Sequence, residues 1–162
     1  MTDISTQKAT LCFLTKGTPP THILLGYKKS GFGKGKYFGI GGKVEQGESY
    51  QEAALREVKE EIGVEILHIN INFAAHLIFS FPYKPEWNQE VMVYLVNSWK
   101  GEPLESAEMK PEWFKIKDIP YQQMWSDNAH WLPIILNHRR VKAEFTFGED
   151  NEDITEMIIE DM

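Results

Sequence analysis

The sequence contains a single cysteine, Cys12, among 162 residues. One cysteine cannot form an intramolecular disulfide, and a chain without disulfides is typical of a reducing compartment. Cys12 stands in the apolar run of residues 11–14, and neither metal-ligand spacing nor a nucleophile motif surrounds it. We therefore expect its side chain to be a small buried hydrophobe with no chemical role.

Long apolar runs and an excess of basic residues are also absent. No apolar stretch approaches the length of a membrane span, and residues 1–8 lack the basic-then-apolar order of a signal peptide. The 17 basic residues are outnumbered by 24 acidic ones, and a net charge of −7 argues against a nucleic acid polymer as the partner. We expect a cytoplasmic protein that binds neither membranes nor nucleic acid polymers.

The composition that remains is that of one globular domain. Hydrophobic residues make up 42% and charged residues 25% of the chain, far from the composition of a disordered protein. A chain of this length can bury one core but is short for two, and no repeat or linker divides it. We expect a single domain over residues 1–162, present as a monomer.

Apolar and alternating segments predict a mixed sheet with few helices. Strands are predicted at residues 9–14, 22–28, 37–40 (ending at Gly41-Gly42), 90–99, 112–116 and 141–147, with one long or two consecutive strands at 64–81. Residues 31–36 and 100–110 are predicted loops. Residues 128–138 indicate a helix with Pro133 in its first turns, and the acidic residues 150–162 fit either a strand or a short helix.

Residues 49–62 carry a clear helix pattern. Ser49 precedes an apolar stripe and Glu52 follows three positions later, which is the arrangement of a capping box. Apolar residues recur at intervals of three and four, and Gly63 stands where a left-handed helix end is expected.

Three glutamates share one face of this predicted helix. Glu57, Glu60 and Glu61 stand at i, i+3 and i+4, which brings three carboxylates within reach of a common ion. Like charges this close repel one another, whereas hard oxygen ligands are those that Mg²⁺ selects. The alternative is a solvated acidic face braced by Arg56 and Lys59, which a lone Glu-x-x-Glu-Glu would favour.

The spacing around the glutamates is more specific than the glutamates themselves. Gly42 is followed after five residues by Glu48 and after seven more by the run REVKEEIGV at residues 56–64. This pattern resembles the Nudix box at every fixed position. The resemblance implies the Nudix fold, an α/β/α sandwich with a mixed central sheet, and a hydrolase that depends on Mg²⁺ or Mn²⁺. It also implies that Glu48 supports the metal ligands and that Arg56 orients them. The implied ligands are Gly41, Glu57, Glu60, Glu61 and Glu108.

Segments outside the box narrow the resemblance. Residues 24–29, 31–33, 105–114 and 124–128 look like those of 8-oxo-dGTP diphosphatases, which remove oxidised purine nucleotides from the pool used for DNA synthesis. This resemblance implies attack of a metal-activated water on a purine nucleoside triphosphate, giving the monophosphate and pyrophosphate. Glu57 or Glu61 would take the proton, and Lys28 and Lys43 are candidate contacts for the triphosphate.

The same resemblance implies a purine pocket. Trp125 would stack on the base, Asp127 would hydrogen-bond its edge, and Phe32 and Phe79 would wall the pocket. A place in the core is an equal alternative for Phe79, as it is for Trp131, and a solvated charge is the alternative for Glu108.

Two positions depart from the family pattern. Phe38 stands where the family has asparagine, and Asn128 stands where it has a second acidic residue. An asparagine cannot share a proton with Asp127, so the choice among 8-oxoguanine, 2-hydroxyadenine and methylated purines stays open.

Two other functions also stay open. One is a Nudix hydrolase of another substrate class, such as dinucleoside polyphosphates or ADP-ribose. The other is a nucleotide-binding module without activity, against which the presence of every carboxylate of the box argues.

Overall fold

Residues 6–162 are described by the computed structural model, and they form nine strands and two α-helices. The strands are β1 (Gln7–Lys16), β2 (His22–Lys28), β3 (Tyr37–Phe38), β4 (Ile40–Lys43), β5 (Asn72–Ser80), β6 (Gln89–Val96), β7 (Met109–Lys115), β8 (Val141–Phe147) and β9 (Ile154–Asp161). The helices are α1 (Tyr50–Ile62) and α2 (Asn128–Leu136). Neither helix has the length and apolar surface that a membrane span needs.

The strands form one mixed sheet in the order β3-β2-β1-β6-β5-β8-β9. β1 runs parallel to β6 and β5 runs parallel to β8, whereas the other pairs are antiparallel. β2 pairs with β1 only at Thr15 and Lys16, and β4 pairs with residues 9–12 of β1. β7 pairs with β2 along its whole length. The predicted mixed sheet is confirmed, and β6 lies at its centre.

Each face of the sheet carries its own core, because successive side chains of a strand point to opposite faces. On β1, Phe13 belongs to the core on one face, and Cys12 and Leu14 belong to the core on the other. Helix α1 covers the second core with Ala54, Val58 and Ile62, and α2 covers the first with Trp131, Leu132 and Ile135. Cys12 is fully buried, and this burial raises the pKa of its thiol to about 12.

Helix α1 begins and ends where its sequence predicts. The hydroxyl of Ser49 accepts a hydrogen bond from the Glu52 N–H at 3.1 Å, and Glu52 Oε1 accepts one from the Ser49 N–H at 3.0 Å. These bonds satisfy two amide groups that a helix start would otherwise leave unpaired. At the other end, Gly63 adopts φ 71° and donates its N–H to the carbonyl of Lys59.

Four strand predictions are wrong in part. The strand predicted at 90–99 ends at Val96, and β7 begins at Met109, inside the predicted loop 100–110. Over residues 64–81 only Asn72–Ser80 is a strand, because the partners β6 and β8 extend no farther, and the preceding segment turns through a short 3₁₀ helix at His68–Asn70. Residues 37–40 hold two strands rather than one, and Gly41-Gly42 lie inside β4 instead of ending a strand. The acidic tail, for which a strand and a helix were both open, forms strand β9 against β8.

Candidate active site

Arg56 is the centre of a network of carboxylates on the exposed side of α1. Its guanidinium donates five hydrogen bonds, two of them to the oxygens of Glu48 at 2.7 and 3.0 Å. Nη1 reaches Glu57 Oε1 at 2.9 Å and Glu60 Oε2 at 3.1 Å, and Nη2 reaches the carbonyl of Lys43 at 3.0 Å. A planar fork of donors fixes carboxylates in this way, and a lysine could not.

The turn before α1 brings Glu48 to Arg56. Glu48 Oε1 also accepts the N–H of Glu45 at 3.0 Å, so the side chain is held from two directions. The hydrogen bond from Arg56, followed by the one from Glu45, lowers the pKa of Glu48. Glu48 therefore stays ionised and supports Arg56 from the side opposite the groove carboxylates Glu57 and Glu60.

Glu57 lies where only a glycine leaves room for it. A Cβ at position 42 would lie 2.6 Å from the Glu57 carboxyl carbon, so Gly42 allows β4 to approach the helix. Burial raises the pKa of Glu57, and the hydrogen bond and charge of Arg56 oppose that rise. The neighbouring Gly41 is required for another reason, because a Cβ there would lie 1.9 Å from the Thr10 carbonyl of β1.

Glu61 is buried more deeply than the other carboxylates of this face. Burial, followed by the charge of Glu57, raises its pKa from 4.5 to about 7, while Lys28 and the N–H of Gly41 lower it. Its Oε2 atom is buried without a hydrogen-bond partner among residues 6–162. A buried carboxylate oxygen without a donor is costly, and a proton or a cation would satisfy it.

A groove runs beside these glutamates. It has a volume of about 280 Å³ and is lined by six residues from α1 and from the loop before β7: Glu57, Glu60, Glu61, Ser106, Ala107 and Glu108. The charge of Glu108 contributes to the raised pKa of Glu61, so the carboxylates from helix and loop face a common space. Lys28 of β2 is the cation that acts on Glu61 from the sheet.

The aromatic residues predicted for a base pocket partly come together. Phe32 stacks on Trp125 with ring centroids 5.5 Å apart and planes 19° apart, and Trp87 meets Phe32 edge-on at 4.9 Å. The ammonium of Lys36 lies 5.1 Å from the centroid of the Trp125 ring. Phe32 is 44% exposed, so this aromatic pair is open to solvent.

Other residues predicted for the pocket are more enclosed. Asp127 is buried, and its Oδ2 accepts the Trp131 indole N–H at 2.8 Å, while burial raises its pKa to about 6. The Asn128 amide donates to the carbonyl of Trp125 at 3.0 Å. That Asp127 and Asn128 contact a purine stays a prediction. Trp131 is fully buried and belongs to the core.

Phe38 and Phe79 are half-buried at different places. Phe38 lies over Gly33, where an added Cβ would come within 2.1 Å of its ring. Phe79 stacks on Phe145 of the core at a centroid distance of 5.8 Å and packs against the core cluster of the α2 face. Phe79 therefore packs against the core, whereas the ring of Phe38, in β3, covers Gly33.

The sequence profile described as the NUDIX domain matches residues 5–134. The chain belongs to the Nudix family. It is 41% identical over 132 residues to the oxidized purine nucleoside triphosphate hydrolase of Danio rerio, covering 81% of this chain and 83% of that one. The Mus musculus protein of the same description is 36% identical over 132 residues, covering 82% and 83% of the two chains.

A solved structure shows the same fold. The MutT protein from Bacillus halodurans superposes with a TM-score of 0.79 at 22% identity, covering 94% of this chain and 97% of that one. At this identity the likeness concerns the fold alone. It shows that the mixed sheet with two helices is the Nudix fold, as the sequence resemblance implied.

The donors of the Nudix groove fit a hard divalent cation. The charged side chains that line it are all carboxylates, and one of their oxygens is buried without a partner. The absence of a Cβ at Gly42 keeps the space beside Glu57 clear. In the arrangement of residues 6–162, no three His, Cys, Asp or Glu side chains converge on one point. Glu60 is turned toward Arg56, and because its side chain is 59% exposed, it can reorient rapidly.

Several residues lie at the candidate site although no sequence pattern marks them. Lys36 and Trp87 join the aromatic pair from two separate loops, and Ser106 lines the groove. The only signal for Ser106 is its place in the acidic loop of residues 100–110. Lys36 and Trp87 lie in loops without periodicity, so their contacts become visible only in the folded chain.

Proposed function

We propose that this protein is a divalent-cation-dependent pyrophosphohydrolase of oxidised purine nucleoside triphosphates, acting in sanitation of the nucleotide pool. The observation that carries the proposal is the groove in which Glu57, Glu60 and Glu61 face Glu108, with Arg56 holding the first two. The relatives named for hydrolysis of oxidized purine nucleoside triphosphates support the choice of substrate.

The groove carboxylates would hold the cation. Glu57, Glu60 and Glu108 supply oxygens to it, and the carbonyl of Gly41 is a further candidate ligand. When bound, Mg²⁺ or Mn²⁺ supplies Lewis acidity and orientation of the phosphate oxygens. Arg56 keeps Glu57 in place through Nη1, while Glu48 on its other side prevents the guanidinium from turning away. Glu60, whose side chain is exposed, would turn from Arg56 toward the cation.

Glu61 is better placed than Glu57 to accept a proton from the attacking water. Glu57 Oε1 is held by Arg56 at 2.9 Å, whereas Glu61 Oε2 has no partner among the described residues. A general base must have an oxygen that no other group engages and must lie at the reacting space, and Glu61 lines the groove. The attack breaks the phosphoanhydride bond between the α- and β-phosphates, and water supplies the new oxygen, so the products are a nucleoside monophosphate and pyrophosphate.

Base recognition would use the aromatic pair. A purine offers a flat apolar face to Trp125, and stacking of this kind accepts any base. Selection among purines must then come from polar groups at the edge, for which the buried Asp127 and Asn128 are the candidates. Phe38 offers no hydrogen bond, so it can contribute only shape.

A substrate panel tests the proposed function. Specificity constants with Mg²⁺ are measured for 8-oxo-dGTP, 2-hydroxy-dATP, O6-methyl-dGTP, N6-methyl-dATP and dGTP, together with ADP-ribose and a dinucleoside polyphosphate. We expect modified purine triphosphates to exceed dGTP and to give the monophosphate with pyrophosphate. Preference for ADP-ribose or the dinucleotide would assign another Nudix activity, and no hydrolysis of any compound would indicate a binding module.

A monomer is sufficient for this activity, because one chain supplies every carboxylate of the groove. We propose that the protein acts in this form. Size-exclusion chromatography with light scattering, at the concentration of the kinetic assay, tests it. A dimer that dissociates on dilution with loss of activity would contradict it.

A further inference from the structure

The loop that carries Glu108 ends in a tight turn at the edge of the groove. The N–H of Ser106 donates to the carbonyl of Met109 at 2.9 Å, and the Met109 N–H donates to the Ser106 hydroxyl at 3.2 Å. Ala107 and Glu108 therefore form the tip of a turn that we call the 105–109 turn. Because both tip residues line the groove, the position of this turn sets the position of the Glu108 carboxylate.

Lys29 holds this turn by three contacts. Its backbone N–H donates to the carbonyl of Glu108 at 2.9 Å, which extends the β2–β7 ladder by one residue beyond the Lys28–Met109 pair. Its ammonium donates to the carbonyl of Ser106 at 2.8 Å and forms an ion pair with Glu105. The side chain thus contacts two residues of the turn that are 76 and 77 positions away in the sequence.

The turn needs such an anchor because its tip faces negative charge. Glu57, Glu60 and Glu61 lie across the same groove, and like charges there favour an outward movement of Glu108. The Glu108 side chain is exposed, so packing does not hold it in place. Lys29 attaches the backbone of the turn to β2, whose position is fixed by the sheet.

We infer that Lys29 is a positioning residue that holds the 105–109 turn, and with it Glu108, at the groove, and thereby sets the affinity of the groove for a divalent cation. This inference rests on the proposed function, because it takes the groove to be the cation site. It assigns to Lys29 no contact with the nucleotide. An arginine could make the same contacts, whereas methionine keeps only the aliphatic part of the side chain.

If Lys29 positions the turn, Lys29→Met should change cation affinity in one direction, and if Lys29 acts only through its positive charge, in the opposite direction. Removal of a positive charge near an acidic groove should tighten cation binding if only the field matters. Loss of the anchor should instead weaken it, by about three- to ten-fold for a charge-assisted contact that is partly exposed. Lys110→Met is the matched control, because the Lys110 charge also acts on Glu105 but its ammonium makes no hydrogen bond or ion pair among residues 6–162.

The experiment measures Mn²⁺ binding to the full chain without nucleotide, by electron paramagnetic resonance of the free ion. We expect weaker binding in Lys29→Met, wild-type binding in Lys29→Arg, and unchanged or tighter binding in Lys110→Met. Lys29→Gln, which keeps a donor but no charge, should fall between methionine and wild type and serves as the second variant if Lys29→Met does not fold. Thermal midpoints of all variants show which are folded.

Hydrolysis provides a second readout. In Lys29→Met the Mg²⁺ concentration for half-maximal rate should rise by the same factor, while kcat at saturating Mg²⁺ and KM for the nucleotide stay close to wild type. Equal or tighter Mn²⁺ binding in a folded Lys29→Met or Lys29→Gln protein would overturn the inference and leave the proposed function intact. A wild-type protein that releases no pyrophosphate with Mg²⁺ would instead contradict the proposed function.

Discussion

Replacing Glu61 with glutamine should stabilise the cation-free protein at alkaline pH and abolish turnover. Burial and the charges of Glu57 and Glu108 raise the pKa of Glu61 from 4.5 to about 7. A carboxyl whose pKa is higher in the folded state releases its proton more easily in the unfolded chain. The folded state therefore loses stability as the pH rises from about 4.5 to 7, and the loss is complete above that range.

The magnitude follows from the shift. A rise from 4.5 to about 7, at roughly 1.4 kcal/mol per unit, corresponds to about 3.5 kcal/mol of unfolding free energy at pH 8. Glutamine has the same shape and no charge to desolvate, and its amide nitrogen can donate toward the neighbouring carboxylates. For a chain of this size the gain corresponds to a rise of roughly 5–10 °C in Tm.

The assay is thermal unfolding of wild type and Glu61→Gln with a chelator, at pH 5 and pH 8, followed by addition of Mg²⁺. We expect a large difference at pH 8, a difference of under about 1 kcal/mol at pH 5, and a greater Mg²⁺ stabilisation of wild type. Turnover of the variant should fall by a factor of about 10² or more. Equal Tm values at pH 8 in chelator would refute the burial argument, and near-wild-type turnover would remove Glu61 from the mechanism.

Three further substitutions separate binding, folding and catalysis. Trp125→Ala should raise KM for purine triphosphates by about ten-fold or more while lowering Tm only slightly, and the opposite ranking would make Trp125 a core residue. Ser49→Ala removes the hydroxyl that caps α1 and should lower the free energy of unfolding in urea by about 1 kcal/mol without changing kcat. Gly42→Ala places a Cβ 2.6 Å from the Glu57 carboxyl, so Mn²⁺ affinity and turnover should fall with little change in Tm, and wild-type affinity would contradict this geometry.

Local signals in the sequence were sufficient for α1 and its two ends. The capping box joins Ser49 to Glu52, and the left-handed Gly63 donates to Lys59, so each helix end depends on residues at most four positions apart. Both ends can therefore be predicted without knowledge of the fold. The same holds for β8, whose bounds Val141–Phe147 match the predicted strand. The three glutamates on one helix face follow from helix periodicity alone.

Features that depend on distant partners could not be predicted. Residues 64–71 are apolar enough for a strand, yet within residues 64–81 the strands β6 and β8 pair only with Asn72–Ser80, and a strand requires partners. The bidentate contact of Arg56 with Glu48 depends on the path of the turn between β4 and α1. The contact of Asp127 with the Trp131 indole is different, because the two residues are only four positions apart and the predicted helix brings them together.

The end of β2 connects the two halves of the proposed site. Lys28 acts on Glu61 from the sheet, Lys29 anchors the turn of Glu108, and the loop that follows carries Phe32 to Trp125. One short segment therefore sets both the carboxylate groove and the aromatic pair. A nucleotide that binds both would be aligned by this one segment, so a displacement of residues 28–32 should change cation affinity and base affinity together. Lys29→Met should change only the cation affinity.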